Sequence, residues 1–297
     1  MVNAPMPSSG SRLPGTPEPM HVWVGSGGIE IAGDSWGDGG SEVVVLLHGG
    51  GQTRHAWKNT GARLADQGYR AVALDARGHG DSSWAADGDY RRPAMVDDLV
   101  AVLDVLEVDR PILVGASMGG DTALLGVAEG RIDAKALVLV DTAPRLEPDG
   151  VRVIRTFMGK RREGFDSLDE VVTAIGPYQH HRTGPRGTDG VVKNVRLGDD
   201  GRYYWHWDPR FHTTHVDLDA RRRQFELCAR QLRLPTLLVR GGLSDVLTEG
   251  GAREFLDLCP HAEYANVADA AHMVAGDRND LFADAVVDFL NRVAPPT

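Results

Sequence analysis

The chain has 297 residues, 42% of them hydrophobic, which is enough for a sizeable core and too many for a disordered polymer. Its formal net charge of −10 excludes nucleic acid and an anionic membrane surface as natural partners. The longest apolar runs are of strand length, so no membrane span is expected. The two cysteines, Cys228 and Cys259, give no disulfide framework and fit a reducing cytoplasm, where we expect the protein to reside.

Residues 1–20 are rich in Pro, Ser and Gly and lack an apolar h-region, so they read as a disordered N-terminal tail rather than a signal peptide. His21 to Val24 and Ile29 to Ile31 form a predicted hairpin across a Gly/Ser turn. Strand and helix then alternate: strand 43–47, helix 54–67, strand 70–75, helix 93–106, strand 111–116, helix 118–129 and strand 135–141. This is the βαβ rhythm of a mostly parallel sheet. Residues 142–234 break it with Pro144, Pro148, Pro177 and Pro185 and a polar stretch around His180 and His181. Helical patches are expected there at 151–159, 167–175 and 217–231. The rhythm resumes with strand 235–240, helix 249–257, strand 262–267 and helix 279–293. The organisation expected is a core of 21–141 and 235–297 with a lid inserted at 142–234.

Gly115-Ala116-Ser117-Met118-Gly119 reads G-x-S-x-G, and it lies between a buried strand and a helix. A serine in so sharp a turn is tolerated only beside small residues, and the turn lifts its hydroxyl to the edge of the sheet. The Met118 N–H, at the start of the helix, has no intrahelical partner. A serine hydroxyl needs a base and an orienting acid to attack a carbonyl. His272 and Asp245 each follow a later predicted strand and reach the same edge if the strands are parallel. Asp141 also ends a strand and is the alternative acid. The second oxyanion donor is expected at Gly50, in the side-chain-free stretch Gly49-Gly50-Gly51 after strand 43–47, with Gly51 close behind. No G-x-x-x-x-G-K-[ST] follows, so this glycine run is not a nucleotide cradle.

Together with His48-Gly49-Gly50-Gly51, the stretch Asp75 to Ser82, Arg240 to Asp245 and His272 to Gly276, the serine motif resembles the α/β-hydrolase superfamily. The resemblance is to its microbial lidded branch of esterases, lactonases, haloperoxidase-like perhydrolases and C–C hydrolases. It covers about 43–141 and 235–295. It implies an α/β-hydrolase fold, with a mostly parallel eight-stranded sheet flanked by helices and a helical lid insertion. It also implies the triad order Ser117, Asp245, His272 and favours Asp245 over Asp141 as the acid. Epoxide hydrolases and dehalogenases of this fold share the Arg77 to Ser82 stretch but carry an aspartate where this chain has Ser117, which counts against their chemistry.

Other residues have plainer readings. His79 is expected to brace the Asp75–Ser82 loop and His48 to order the oxyanion loop. His180 and His181 are expected to be solvated. His206 lies in Tyr203-Tyr204-Trp205-His206-Trp207, whose bulk packs the lid or lines a pocket. The expected substrate-binding residues are Gly51, Tyr204, Trp205, Trp207 and Met273. No metal is expected, since no Cys pair or H-E-x-x-H occurs, and no cofactor is required. The activity expected is cleavage of a hydrophobic, ring-containing ester or lactone through a serine acyl-enzyme. A perhydrolase, a C–C hydrolase and a lidded small-molecule receptor are the alternatives, and a homo-oligomer stays open.

Overall fold

The computed structural model describes residues 10–39, 41–176, 188–213, 217–272 and 279–296. Eight strands form the main sheet: β1 (His21–Val24), β2 (Glu30–Trp36), β3 (Val43–Leu47), β4 (Arg70–Leu74), β5 (Ile112–Ala116), β6 (Ala136–Val140), β9 (Thr236–Gly241) and β10 (Glu263–Val267). Their order is β1-β2-β4-β3-β5-β6-β9-β10. The β1–β2 and β2–β4 pairs are antiparallel, and every pair from β4 to β10 is parallel. The C-terminal ends of β3, β5, β6, β9 and β10 therefore share one edge, where ligands bind in open α/β sheets.

The parallel strands are apolar on both faces because helices cover both. Val45 and Leu47 of β3 point to one face, against α2 (Arg92–Val105) and α3 (Met118–Ala128). Val44 and Leu46 point to the other, against Leu64 of α1 (Lys58–Asp66) and Phe282 and Phe289 of the C-terminal helix Asn279–Val293. This is the two-residue period of a strand.

The insertion differs from the expected lid in two ways. Helix α6 (Leu218–Gln231) places Phe225, Cys228 and Ala229 in the main core with Leu124, Leu125 and Phe255, the last from α7 (Glu249–Leu258), so it belongs to the core layer. Its buried positions follow an i, i+3, i+4 spacing, the stripe of a helix lying on a core. The cap proper comprises α4 (Pro148–Met158), α5 (Leu168–Ile175) and an unpredicted hairpin of β7 (Val195–Leu197) and β8 (Tyr203–Trp205). The cap has its own apolar centre, including Met158, Phe165, Val171, Val195, Trp205 and Trp207.

Residues 10–20 are not the disordered tail expected of them. Ser11 N–H donates to Leu197 O at 2.9 Å and Leu197 N–H to Ser11 O at 2.8 Å, extending the β7–β8 hairpin. Leu13 is buried in the cap centre. The physical reason is that one leucine and one strand bridge anchor a segment whose overall composition is that of a coil. The Pro17 carbonyl accepts from Nη2 of the fully buried Arg54 at 3.2 Å. Arg54 Nη1 also meets Asp75 Oδ2 at 2.6 Å and Asp81 Oδ2 at 2.8 Å, and Nε lies 3.0 Å from Asp34 Oδ1. Arg196 of β7 donates to Asp81 Oδ1 at 2.9 Å. Three arginines (Arg12, Arg54 and Arg196) thus balance three aspartates where the arm, the cap and the core meet. Such buried charges hold position only while fully paired.

Candidate active site

Strand β5 runs fully buried into Ser117, whose backbone has φ 46° and ψ −110°. A β-carbon here is strained, and that strain is typical of functional turns. The turn closes because its neighbours lack side chains: a β-carbon on Gly119 would sit 2.3 Å from the Leu47 carbonyl oxygen, and one on Gly115 would sit 2.5 Å from the Gly119 backbone. Ser117 N–H donates to Val140 O at 2.9 Å, which seats the serine beside the end of β6.

The residue after Val140 is Asp141, and here the expected acid is corrected. Asp141 Oδ2 lies 2.6 Å from His272 Nδ1. The Asp141 side chain is fully buried, and that of His272 is 12% exposed. The carboxylate also accepts from Gly241 N–H at 2.9 Å and from Ser244 Oγ–H at 2.5 Å. Asp245 is exposed, and among the described residues it makes no such contact. The loop after β9 turns tightly, with Ser244 N–H on Gly241 O at 2.9 Å, so it presents Ser244 inward and Asp245 outward. Asp141 also has positive φ, 50°, a conformation aspartate tolerates better than most residues. Ser244, absent from the sequence expectations, anchors the acid.

The glycine loop after β3 is held by hydrogen bonds at Gly49. Gly49 O accepts from His48 Nδ1–H at 2.8 Å and from Gln52 N–H at 3.1 Å, while Gly49 N–H donates to Gln52 Oε1 at 2.9 Å. In a trans peptide the carbonyl of 49 and the N–H of 50 point opposite ways, so fixing the first aims the second. A β-carbon on Gly49 would lie 3.5 Å from Ser117 Cβ, so this loop abuts the serine. Among the described residues no acceptor takes the N–H of Gly50 or of Met118. Two backbone donors are therefore available near one hydroxyl.

The cap residues divide differently from expectation. Trp205 and Trp207 stack on each other with ring centroids 4.8 Å apart, and both are buried in the cap. Trp205 also packs edge-on against Phe165, so it fills the cap centre. Tyr204 faces outward, and its hydroxyl donates to Asp200 Oδ2 at 2.7 Å, which removes it from the site. Only an edge of Trp207 nears the glycine loop, 3.6 Å from where a Gly51 β-carbon would be. Met158 and Phe211 do more: Met158 Cε is 3.4 Å from that same point, and Phe211 Cε1 is 3.5 Å from the equivalent point on Gly50. Neither was foreseen, since each is a single apolar side chain, Met158 at the end of a helix and Phe211 in a short turn, with no pattern marking it as facing the site. An apolar pocket lies beside Met118, lined by residues including Leu47, Met95, Leu99 and Thr122. Met273, like His180 and His181, lies outside the described residues.

Three buried histidines surround the loop. His48 Nε2 accepts from Ala76 N–H at 3.0 Å, and His206 Nδ1 accepts from Gly80 N–H at 2.8 Å, so both rings are neutral. Burial pushes the His48 pKa down, and it pushes that of His206 well below the usual value, with neighbouring His79 adding to the effect. His79 is driven to about 3, chiefly by burial and then by His48. Its Nδ1 faces the Arg77 carbonyl at 3.2 Å, bracing the loop as expected, while Nε2 has no partner. Among the described residues no cluster of His, Cys, Asp or Glu is arranged to hold a metal ion. Nor is any described helix long and apolar enough to cross a membrane.

Comparison with known proteins agrees with this architecture. The profile of the alpha/beta hydrolase fold matches residues 42–278. The esterase Rv0045c of Mycobacterium tuberculosis is 29% identical over 276 residues, covering 88% of this chain and 85% of that protein. A crystal structure of that esterase superposes with a TM-score of 0.72 at 28% identity, covering 93% of this chain and 92% of the other. The non-heme chloroperoxidase CPO-A1 of Kitasatospora aureofaciens is 29% identical over 291 residues, covering 92% of this chain and all of that protein.

Proposed function

The chain belongs to the α/β-hydrolase fold family and is a hydrolase, and we propose that it cleaves carboxylic esters or lactones of hydrophobic substrates through a serine acyl-enzyme. The observation that carries this reading is the strained Ser117 elbow on the same sheet edge as the buried Asp141–His272 pair. The similarity to an esterase over most of both chains supports it.

In this mechanism Ser117 Oγ attacks the substrate carbonyl while His272 Nε2 takes the hydroxyl proton. Asp141 accepts the Nδ1–H of His272, selects that tautomer and stabilises the imidazolium. The N–H groups of Met118 and Gly50 receive the oxyanion, and removing one such donor typically costs about 100- to 1,000-fold in rate. The imidazolium then returns its proton to the departing alkoxide. Next, His272 activates a water that releases the acid and restores Ser117. The apolar pocket beside Met118 and the Met158 and Phe211 side chains favour an apolar acyl or alcohol group. No cofactor enters these steps.

Release of nitrophenol from short and medium acyl esters tests the reading. Ser117→Ala should fold normally and lose on the order of a million-fold in turnover, and a fluorophosphonate should label Ser117 alone. Near-normal turnover by the folded variant, or labelling elsewhere, removes Ser117 from the mechanism. Similarity to the chloroperoxidase supports a second reading, in which hydrogen peroxide replaces water as the acyl acceptor. A wild-type protein that hydrolyses no ester or lactone, yet brominates monochlorodimedone with peroxide and a carboxylate, would favour it.

A further inference from the structure

The glycine loop orients itself only in part, through the Gln52 N–H bond to Gly49 O and the Gly49 N–H bond to Gln52 Oε1. Residues 49–51 have no side chains, so the direction of each peptide is set by the hydrogen bonds its carbonyl and N–H make. The Gly49 carbonyl is held from within the core by His48. The Gly51 carbonyl is held from outside it: His206, which follows cap strand β8, donates from Nε2 at 3.2 Å. Among the described residues His206 is the one hydrogen-bond donor to Gly51 O. Its other nitrogen, Nδ1, accepts from Gly80 N–H at 2.8 Å, which fixes the Nε2–H tautomer that Gly51 requires. The backbone alternation that sends Trp205 and Trp207 into the cap centre sends His206 the opposite way, onto the core loops. The ring is 1% exposed and has no spare polar atom for substrate.

We infer that His206 is a positioning residue through which the docked cap completes the oxyanion hole. The core supplies the Gly50 N–H, and the cap fixes the peptide on its C-terminal side. Gly51 has φ +74°, and without His206 the Gly51–Gln52 peptide keeps, among the described residues, only its Gln52 N–H bond to Gly49 O, so the loop that aims the Gly50 N–H slackens on its C-terminal side. The cap thereby contributes to the chemical step as well as to selection of substrate. This inference rests on the serine-hydrolase reading above.

The test compares His206→Ala, the volume-keeping His206→Phe and the conservative His206→Gln, whose amide N–H can still reach Gly51 O. Substrates are the nitrophenyl esters of acetate and hexanoate, and folding is checked by near-UV circular dichroism. His206→Ala and His206→Phe should lose about tenfold to a hundredfold in kcat, equally on both esters, with KM within about twofold. Fluorophosphonate labelling of Ser117 should slow in proportion, and His206→Gln should recover much of the loss. A role confined to cap packing would lower thermal stability but leave kcat of the folded Phe variant within about twofold of wild type. That result overturns the inference, as does a defect seen only in KM for the hexanoate, or failure of Gln to outperform Phe. If the wild-type protein itself shows neither ester turnover nor Ser117 labelling, the serine-hydrolase reading falls and this inference with it.

Discussion

His272 Nδ1 lies 2.6 Å from Asp141 Oδ2, so the histidine after the last strand is oriented by the end of β6 and not by the loop after β9. Strands β6 and β9 are parallel neighbours, with Val140 paired to Val239, and their ends open onto the same few ångströms of space. Either loop could deliver a carboxylate there. The tight turn that points Ser244 at Asp141 leaves the β9 loop in the supporting role.

Asp141→Asn should keep the fold but present the wrong partner to Nδ1, costing up to about 10,000-fold in kcat. Asp245→Asn, at an exposed position, should leave kcat near wild type and stability within about 0.5 kcal/mol. Steady-state kinetics on a nitrophenyl ester distinguishes the two sites, and a reversed order of losses would return the acid to Asp245.

Trp205 and Phe211 should respond differently to truncation. Trp205→Ala empties a site 7% exposed inside the cap and should cost about 3–5 kcal/mol in denaturant unfolding, with little change in relative KM between esters. Phe211→Ala removes a ring facing Gly50 and should raise KM for bulky aromatic esters more than for acetate. Equal KM changes on both substrates would place Phe211 in packing alone.

The three buried histidines give acid sensitivity with a definite sign. Their pKa values in the fold lie below the unfolded value of 6.5, so the unfolded chain binds more protons as pH falls. Their neutral forms fit the fold fully above pH 6.5, and stability is lost as pH drops below it, down to about 3 in the case of His79. His79, whose window runs from 6.5 down to about 3, adds about 1.4 kcal/mol per pH unit to the slope within it. His79→Asn should therefore make unfolding free energy measured between pH 6 and pH 5 shallower by about that amount. An unchanged slope would mean His79 already carries a proton in the folded state.

Much of this site was legible in the sequence because its signals are local. Ser117 sits in a five-residue motif between an apolar strand and a helix, and His272 follows a strand pattern near the C-terminus. The Gly49–Gly51 run directly follows β3. The choice of acid was not legible, because Asp141 and Asp245 both follow buried strands and differ only in how a four-residue turn folds. The β7–β8 hairpin was missed because two three-residue strands leave no readable period. The inward Trp205 and the outward Tyr204 are adjacent in sequence, so composition alone could not separate a packed ring from a solvated one. For α6 a signal did exist: the spacing of Phe225, Cys228 and Ala229 belongs to a helix lying on the core.

The bridge between Ser11 and Leu197 joins residues about 190 positions apart, a long loop closure. During synthesis the arm emerges well ahead of its partner strand, which follows only after the sheet strands up to β6 have been made. Until then Leu13 has no apolar centre to enter. The cap is thus clasped by a segment made before it, and the protein must carry this arm unpaired until β7 has followed.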